Sequence, residues 1–317
     1  MMEADTAAES GRAVLTEVGS AVITSEQFLE TVMAGAIAGG HVLMEDVPGT
    51  GKTLTANSFA DALGVSFRRV QFTPDLLPSD ITGSTIYNES TGEFSFQKGP
   101  IFANVVLADE INRAPPKTQA ALLEAMGEKQ VTVGSDTYDL PDPFFVIATQ
   151  NPVEQEGTFR LPEAQRDRFM FKTSMGYPDR AGEREILDMR ADRNSSTPAA
   201  SAVLNHDKLN QLRETIEEIE VEPRLRDYIV SLARKTRDKR AVDVGVSPRG
   251  IQRAFEATRA IALLNGRTYV VPDDIKRIAE PVFNHRLVLT TEARVENVDP
   301  SSIITDILED VTVPPVN

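Results

Sequence analysis

The clearest chemical potential lies in one nine-residue run, Glu45-Asp46-Val47-Pro48-Gly49-Thr50-Gly51-Lys52-Thr53. It follows the apolar stretch His41-Val42-Leu43-Met44 and opens a helix-like segment, 52–63. Strand, glycine-rich turn and helix start are the setting in which backbone N–H groups can surround a polyphosphate. Gly49 and Gly51 let the chain turn those groups inward, and the helix N-terminus adds a favourable dipole. Val47, Pro48, Gly49, Thr50, Gly51, Lys52, Thr53 and Leu54 therefore form the expected nucleotide-binding segment. Lys52 would reach the β- and γ-phosphates, and the Thr53 hydroxyl would bind magnesium. The strict pattern has glycine where this chain has Asp46.

Two further runs could complete such a site. Val105-Val106-Leu107-Ala108-Asp109-Glu110 is an apolar strand ending in two acids. Asp109 would hold magnesium, directly or through water, and Glu110 would orient and polarise an attacking water. Alone, such acids equally well cap the next helix; a phosphate loop upstream is what gives them a chemical task. The other run, 145–152, is a strand ending at Thr149-Gln150-Asn151-Pro152. Asn151 could hydrogen-bond the γ-phosphate or the water, although asparagine before proline is also an ordinary turn residue.

The elements that must position these residues follow from periodicity. Phe28, Leu29, Val32, Met33, Ala36 and Ile37 have helical spacing, with Ser25 as a cap. Strands are expected at 41–44, 65–72, 105–108, 144–148 and 169–171, with helical patterns such as 116–127 between most of them. That alternation implies a doubly wound α/β sheet. Segments 84–97 and 130–140 carry β-formers around polar turns and read as inserted β-hairpins. After Pro178 the patterns are helical, at 180–191, 206–219, 223–239, 248–265 and 273–283, with a Ser/Ala-rich loop at 194–202 and no convincing strand. The expected organisation is a flexible segment 1–21, an α/β nucleotide-binding core 22–176, a smaller all-α lid 177–310 and a loose tail 311–317.

Composition removes several classes of function. The 317 residues include no cysteine, which excludes disulfides, thiolate metal sites and cysteine nucleophiles. Three histidines far apart in sequence argue against a zinc enzyme. No apolar run approaches the ~20 residues that cross a bilayer, and the N-terminus lacks a signal pattern. A cytoplasmic location is the expectation. The net charge of −15 argues against broad binding to nucleic acid or anionic membrane. Only 9 of 33 basic residues are lysines, which fits either a protein kept soluble in high salt or an ordinary acidic protein.

Together these runs resemble the AAA+ ATPases and, within them, the MoxR family. The resemblance spans roughly residues 22 to 285. It is carried by Gly39-Gly40-His41 and the phosphate loop, by Gln71-Phe72-Thr73-Pro74-Asp75-Leu76-Leu77-Pro78-Ser79-Asp80, and by Leu107 to Gln119. Ala148 to Pro152, Glu154-Gln155-Glu156-Gly157-Thr158, Leu161 to Gln165 and Ser247-Pro248-Arg249 complete it. The family also carries two hairpin insertions. By resemblance, Lys52 and Thr53 match the phosphate-loop lysine and magnesium hydroxyl, Asp109 and Glu110 the Walker B pair, and Asn151 the sensor-1 residue. Arg168 matches an arginine finger that acts on ATP held by a neighbouring subunit, although Arg166 stands two residues away and leaves the choice open. Arg249 matches the sensor-2 arginine.

The resemblance implies ATP and Mg2+ as cofactors and a homo-oligomeric ring, expected to be a hexamer. It also implies chaperone-like remodelling or activation of protein complexes, with a von Willebrand factor A-like protein as a possible partner. Two other readings stand beside this one: a nucleotide-gated binding module with little turnover, and a nucleic-acid motor, against which the acidic balance speaks.

Overall fold

The computed structural model describes residues 2–90, 92–152, 157–192 and 198–315. In chain order its strands are β1 Val42–Glu45, β2 Phe67–Gln71, β3 Gly83–Asn88, β4 Glu93–Lys98, β5 Val105–Asp109 and β6 Gln130–Val133. They continue with β7 Asp136–Asp139, β8 Phe145–Gln150, β9 Phe171–Thr173, β10 Val242–Val244 and β11 Val288–Leu289. The helices are α1 Ala4–Ala21, α2 Glu26–Ile37, α3 Lys52–Leu63, α4 Pro78–Thr82, α5 Pro116–Glu128, α6 Glu163–Arg166 and α7 Arg180–Asp192. The C-terminal half adds α8 His206–Thr215, α9 Pro223–Asp238, α10 Pro248–Leu264, α11 Pro272–Phe283, α12 Thr291–Val295 and α13 Pro300–Asp310.

Five strands form one parallel sheet in the order β2-β5-β8-β1-β9. Parallel neighbours require crossovers, and the crossovers cover both faces, so the central strands must be apolar throughout. β5 is buried at every position, as is β8 up to Gln150. The two-residue period then divides the core. Val105, Leu107, Phe145 and Ile147 join the cluster with α1, α2 and α3, whereas Val106, Ala108, Val146 and Ala148 face Leu122, Leu123 and Met126 of α5. The edge strand β2 instead exposes Arg68 and Arg69, which discourages pairing with a stray strand. β3–β4 and β6–β7 are antiparallel hairpins, as their patterning predicts.

Two expectations are corrected. Within the expected flexible segment 1–21, residues 4–21 instead form α1, which buries Ala7, Ala8, Gly11, Val14, Val18 and Ala21. Its buried face is made of small residues, so its hydrophobic signal is weak, and its stability comes from close packing. A Cβ on Gly11 would stand 2.6 Å from Leu264 Cδ2 of α10. The C-terminal region is helical but also holds a short ribbon, β10–β11, pairing Val242 with Leu289. Each of these strands is too short to show an alternating pattern in sequence.

Helix α13 was also not expected. Its start carries an Asp299 cap, whose side chain accepts from Ser301 N, and Pro300 in the first turn. The apolar core runs without a break from α1–α3 into α8–α11 and α13. Residues 194–197 of the expected 194–202 loop and the motif residues Glu154-Gln155-Glu156 lie outside the described residues. Residues 198–205 and 311–315 contain no helix or strand.

Candidate nucleotide-binding site

The site is built at the C-terminal ends of β1, β5 and β8, which are neighbours in the sheet. Parallel strands with crossovers bring loops from distant sequence to one edge. The turn after β1 needs left-handed backbone at Gly49 (φ +86°) and Gly51 (φ +98°), which a side chain would strain. A Cβ on Gly49 would meet nothing within 4 Å, so the loop backbone opens directly onto the cleft. Lys52 Nζ donates to the carbonyls of Asp46 (2.9 Å) and Val47 (2.8 Å), which fixes the ammonium over the loop.

The two acids follow β5. Asp109 is buried, and its Oδ1 accepts from Thr149 Oγ1 at 2.6 Å. Its Oδ2 accepts from Arg69 Nε (3.1 Å) and from a second guanidinium nitrogen (2.7 Å). Glu110 is left-handed without being glycine (φ +57°), a conformation that concentrates at functional sites. Its N–H donates to Thr149 Oγ1 at 2.8 Å. Its Oε2 accepts from Gln71 Nε2 at 2.7 Å and pairs with Arg113 Nε at 3.2 Å. Register explains this: Gln71 lies opposite Asp109 in the β2–β5 pairing, and Arg69 lies opposite Leu107.

Lys52, Thr53, Asp109, Glu110 and Asn151 thus border one cleft of about 430 Å³, which Gly49, Gly51 and Leu54 also line. Sequence reasoning assigned no role to four of its residues: Arg69, Gln71, Thr149 and Gln150. Gln71 opens one of the family-matched runs, Thr149 and Gln150 belong to the run 145–152, and Arg69 had no signal. Among the described residues no cluster of three or more His, Asp or Glu could cage a metal. A single carboxylate and a hydroxyl, both hard oxygen donors, suit Mg2+ carried in by a polyphosphate and completed by water. Thr53 and Asp109, which both line the cleft, would be those donors.

The three arginines lie elsewhere. Arg168 donates to the Leu123 carbonyl of α5, an approach that Gly127 permits, since a Cβ there would stand 2.8 Å from the guanidinium. Arg166 borders a different cavity of about 1050 Å³ with Glu45 and Asn151, and burial lowers its pKa. Arg249 is exposed and lines a third cavity, about 660 Å³, beside Arg226 and Arg253.

The segments carrying Arg168 and Arg249 nevertheless meet at Asp167. Asp167 Oδ1 accepts from Arg286 Nε (2.7 Å), and its Oδ2 accepts from Ser247 Oγ (3.3 Å). Ser247 also caps α10, its hydroxyl accepting from Gly250 N. Burial pushes the Arg286 pKa down to about 10, against the opposing pull of Asp167, so the group stays charged at neutral pH.

Comparison with known proteins points to an ATPase family. The family described as "ATPase family associated with various cellular activities (AAA)" matches residues 41–171, and an AAA lid domain matches 234–307. Chaperone MoxR1 of Mycobacterium tuberculosis is 43% identical over 95% of this chain and 81% of its own length. The chain belongs to the MoxR family of AAA+ ATPases. Protein MoxR of Paracoccus denitrificans is 32% identical over 89% of this chain and 90% of its own length. The uncharacterized protein YeaC of Bacillus subtilis is 48% identical over 89% and 88%. The crystal structure of a candidate ATPase from Cytophaga hutchinsonii superposes with a TM-score of 0.91 at 40% identity, covering 98% of this chain and 97% of that one. Within the MoxR frame, the hairpins β3–β4 and β6–β7 are insertions in an AAA+ core. Among the described residues, no helix is long and apolar enough to cross a membrane.

Proposed function

We propose that this MoxR-family protein hydrolyses ATP with Mg2+ as a homo-oligomeric ring, taken as a hexamer, and couples turnover to remodelling or activating partner protein complexes. The observation that carries the proposal is the convergence of Lys52, Thr53, Asp109, Glu110 and Asn151 on one cleft, from three separate strand ends. Residues 22–176 would be the nucleotide-binding core and 177–310 the lid, with 311–317 a tail. The relative named Chaperone MoxR1 supports the chaperone-like part. A von Willebrand factor A-like partner and a cytoplasmic location belong to the same proposal, and nucleic acid does not.

The residues divide the work. Backbone N–H groups of 47–53 and the Lys52 ammonium bind and orient the phosphates. Thr53 and Asp109 would hold Mg2+, which would supply positive charge to the phosphates, and Thr149 and Arg69 fix the Asp109 carboxylate. Glu110 polarises the attacking water and takes its proton, and Asn151 orients that water or the γ-phosphate. Arg168 of a neighbouring copy would neutralise charge in the transition state, and Arg249 would report lid position. The ring is supported by Arg168 and Arg249 lying outside the cleft of their own chain.

Steady-state ATPase assays test this. Wild type should turn over, and Glu110→Gln should lower kcat by about 100-fold with nucleotide affinity nearly kept. Absence of turnover in a wild type that binds ATP would favour the nucleotide-gated module. One observation speaks for that second reading: both acids are engaged by β2 side chains, Asp109 by Arg69 and Glu110 by Gln71.

A further inference from the structure

The position where the strict phosphate-loop pattern has glycine holds a carboxylate that is only 4% exposed. Asp46 Oδ1 accepts from Ser174 Oγ at 2.6 Å and from Gly176 N at 3.0 Å, and its Oδ2 accepts from Met175 N at 2.8 Å. All three donors belong to the segment directly after β9, which runs through Tyr177 and Pro178 into α7. The backbone carbonyl of the same residue accepts from Lys52 Nζ. One residue therefore touches the phosphate-binding lysine with its main chain and the leader to the helical region with its side chain. Charge-assisted hydrogen bonds of this kind are short and directional, so they transmit displacement rather than absorb it.

A second contact runs in parallel. Met175 Sδ accepts from Thr55 Oγ1 of α3 at 3.5 Å, and Met175 Cε is 3.8 Å from where a Cβ on Gly51 would stand. At the far end, Gly182 N donates to Asp179 Oδ1 in the first turn of α7. A Cβ on Gly182 would lie 3.1 Å from Ile23 Cγ2, so α7 packs against the entry to α2. The leader 174–176 is thus pinned at its phosphate-loop end by Asp46 and followed by a helix that is buried at Gly182 and largely exposed elsewhere.

We propose that Asp46 is a positioning residue that couples the phosphate loop to the lid leader, so that nucleotide at the loop changes the order of 174–192. This rests on the reading of the cleft as an ATP site. Phosphate draws the Lys52 ammonium off the Asp46 carbonyl. The loop start readjusts, and the carboxylate carries that shift to Ser174, Met175 and Gly176. Glycine at this position leaves the N–H cradle intact but removes the connection. Asp46→Gly therefore restores the strict motif and yet uncouples it.

The test is hydrogen–deuterium exchange of the full chain with and without Mg·AMP-PNP, alongside affinity for a fluorescent ADP analogue. Wild type should show about tenfold slower exchange over 174–192 when nucleotide is bound. Asp46→Gly should bind the analogue within about threefold of wild type and lose that protection, with kcat falling about tenfold at unchanged KM. Ser174→Ala, which removes one donor and leaves the loop untouched, should lose part of the protection and serves if Asp46→Gly folds poorly. Wild-type protection retained in both variants overturns the proposal. So does a collapse of nucleotide affinity in Asp46→Gly, because Asp46 would then act in binding itself. A wild type that binds no nucleotide overturns the ATP-site reading beneath it and is told apart by the affinity measurement alone.

Discussion

The phosphate cleft and the two family-matched arginines, Arg168 and Arg249, sit in the same chain under opposite conditions. At the cleft, every acid already has its hydrogen-bond partners: Thr149 and Arg69 on Asp109, Gln71 and Arg113 on Glu110. Lys52 rests on two loop carbonyls. Arg168 instead lies against the last turns of α5, and Arg249 faces an exposed cavity with two other cations. One half of the proposed machinery is complete within the chain. The other half has its charges outside that cleft. A protein in which hydrolysis needs a neighbour would be divided in this way, because the isolated subunit then cannot spend ATP.

Arg168→Ala breaks this comparison most directly. If the finger acts in trans, kcat should fall about 1000-fold with nucleotide affinity kept. Mixing Arg168→Ala with Glu110→Gln should restore part of the activity, since one interface then has both intact residues. Arg166→Ala should cost far less; if it instead equals Arg168→Ala, the finger assignment is wrong. Next in size is Lys52→Ala, which should weaken nucleotide binding about 30-fold, the scale of one or two charge-assisted hydrogen bonds. A change below about twofold in equilibrium binding would show that the loop does not hold the phosphates as described.

The last effect, on stability rather than on turnover or binding, concerns the frame shared by both regions. His41 precedes β1, and its ring joins the Met126 carbonyl near the end of α5 to Val146 N of β8. Burial lowers its pKa from 6.5 to about 4, so the fold holds it neutral. Its contribution is fully present above pH 6.5 and is lost as pH falls towards 4, because only the unfolded chain takes up the proton in that window. The loss should be about 3 kcal/mol across the window. Urea unfolding at pH 7 and pH 4.5 would measure it, and His41→Gln should flatten that pH slope. An unchanged slope would show that His41 titrates normally in the fold.

The residue patterns gave four of the five sheet strands, both hairpins and most helices close to their observed bounds, because strand burial and helix stripes are local periodicities, whereas the fifth strand, expected at 169–171, is Phe171–Thr173. Ser25 was readable as the α2 cap, and its hydroxyl does accept from Phe28 N. Helix α1 escaped because Ala and Gly bury well but read as neither apolar nor polar. Gln71 and Arg69 escaped for a different reason: nothing in 67–71 announces a partner some forty residues away. Their contacts with Asp109 and Glu110 exist only once the β2–β5 register is set. Arg286, which holds Asp167 from 119 residues away, was equally silent.

The sequence by itself determined the chemistry on offer: a phosphate loop, two acids at a strand end, a polar residue at another, and a chain too acidic for a diffuse electrostatic partner. Those are properties of residue type and short spacing. Tertiary structure decided which of these groups meet. It joined the strand ends into one cleft, supplied Arg69, Gln71 and Thr149, and turned Asp46 from a departure in a motif into a contact with the leader to α7. It also left Arg168 and Arg249 outside the cleft. The physical reason is that parallel sheets order their strands by crossover and register, and neither is written in any one stretch of the chain.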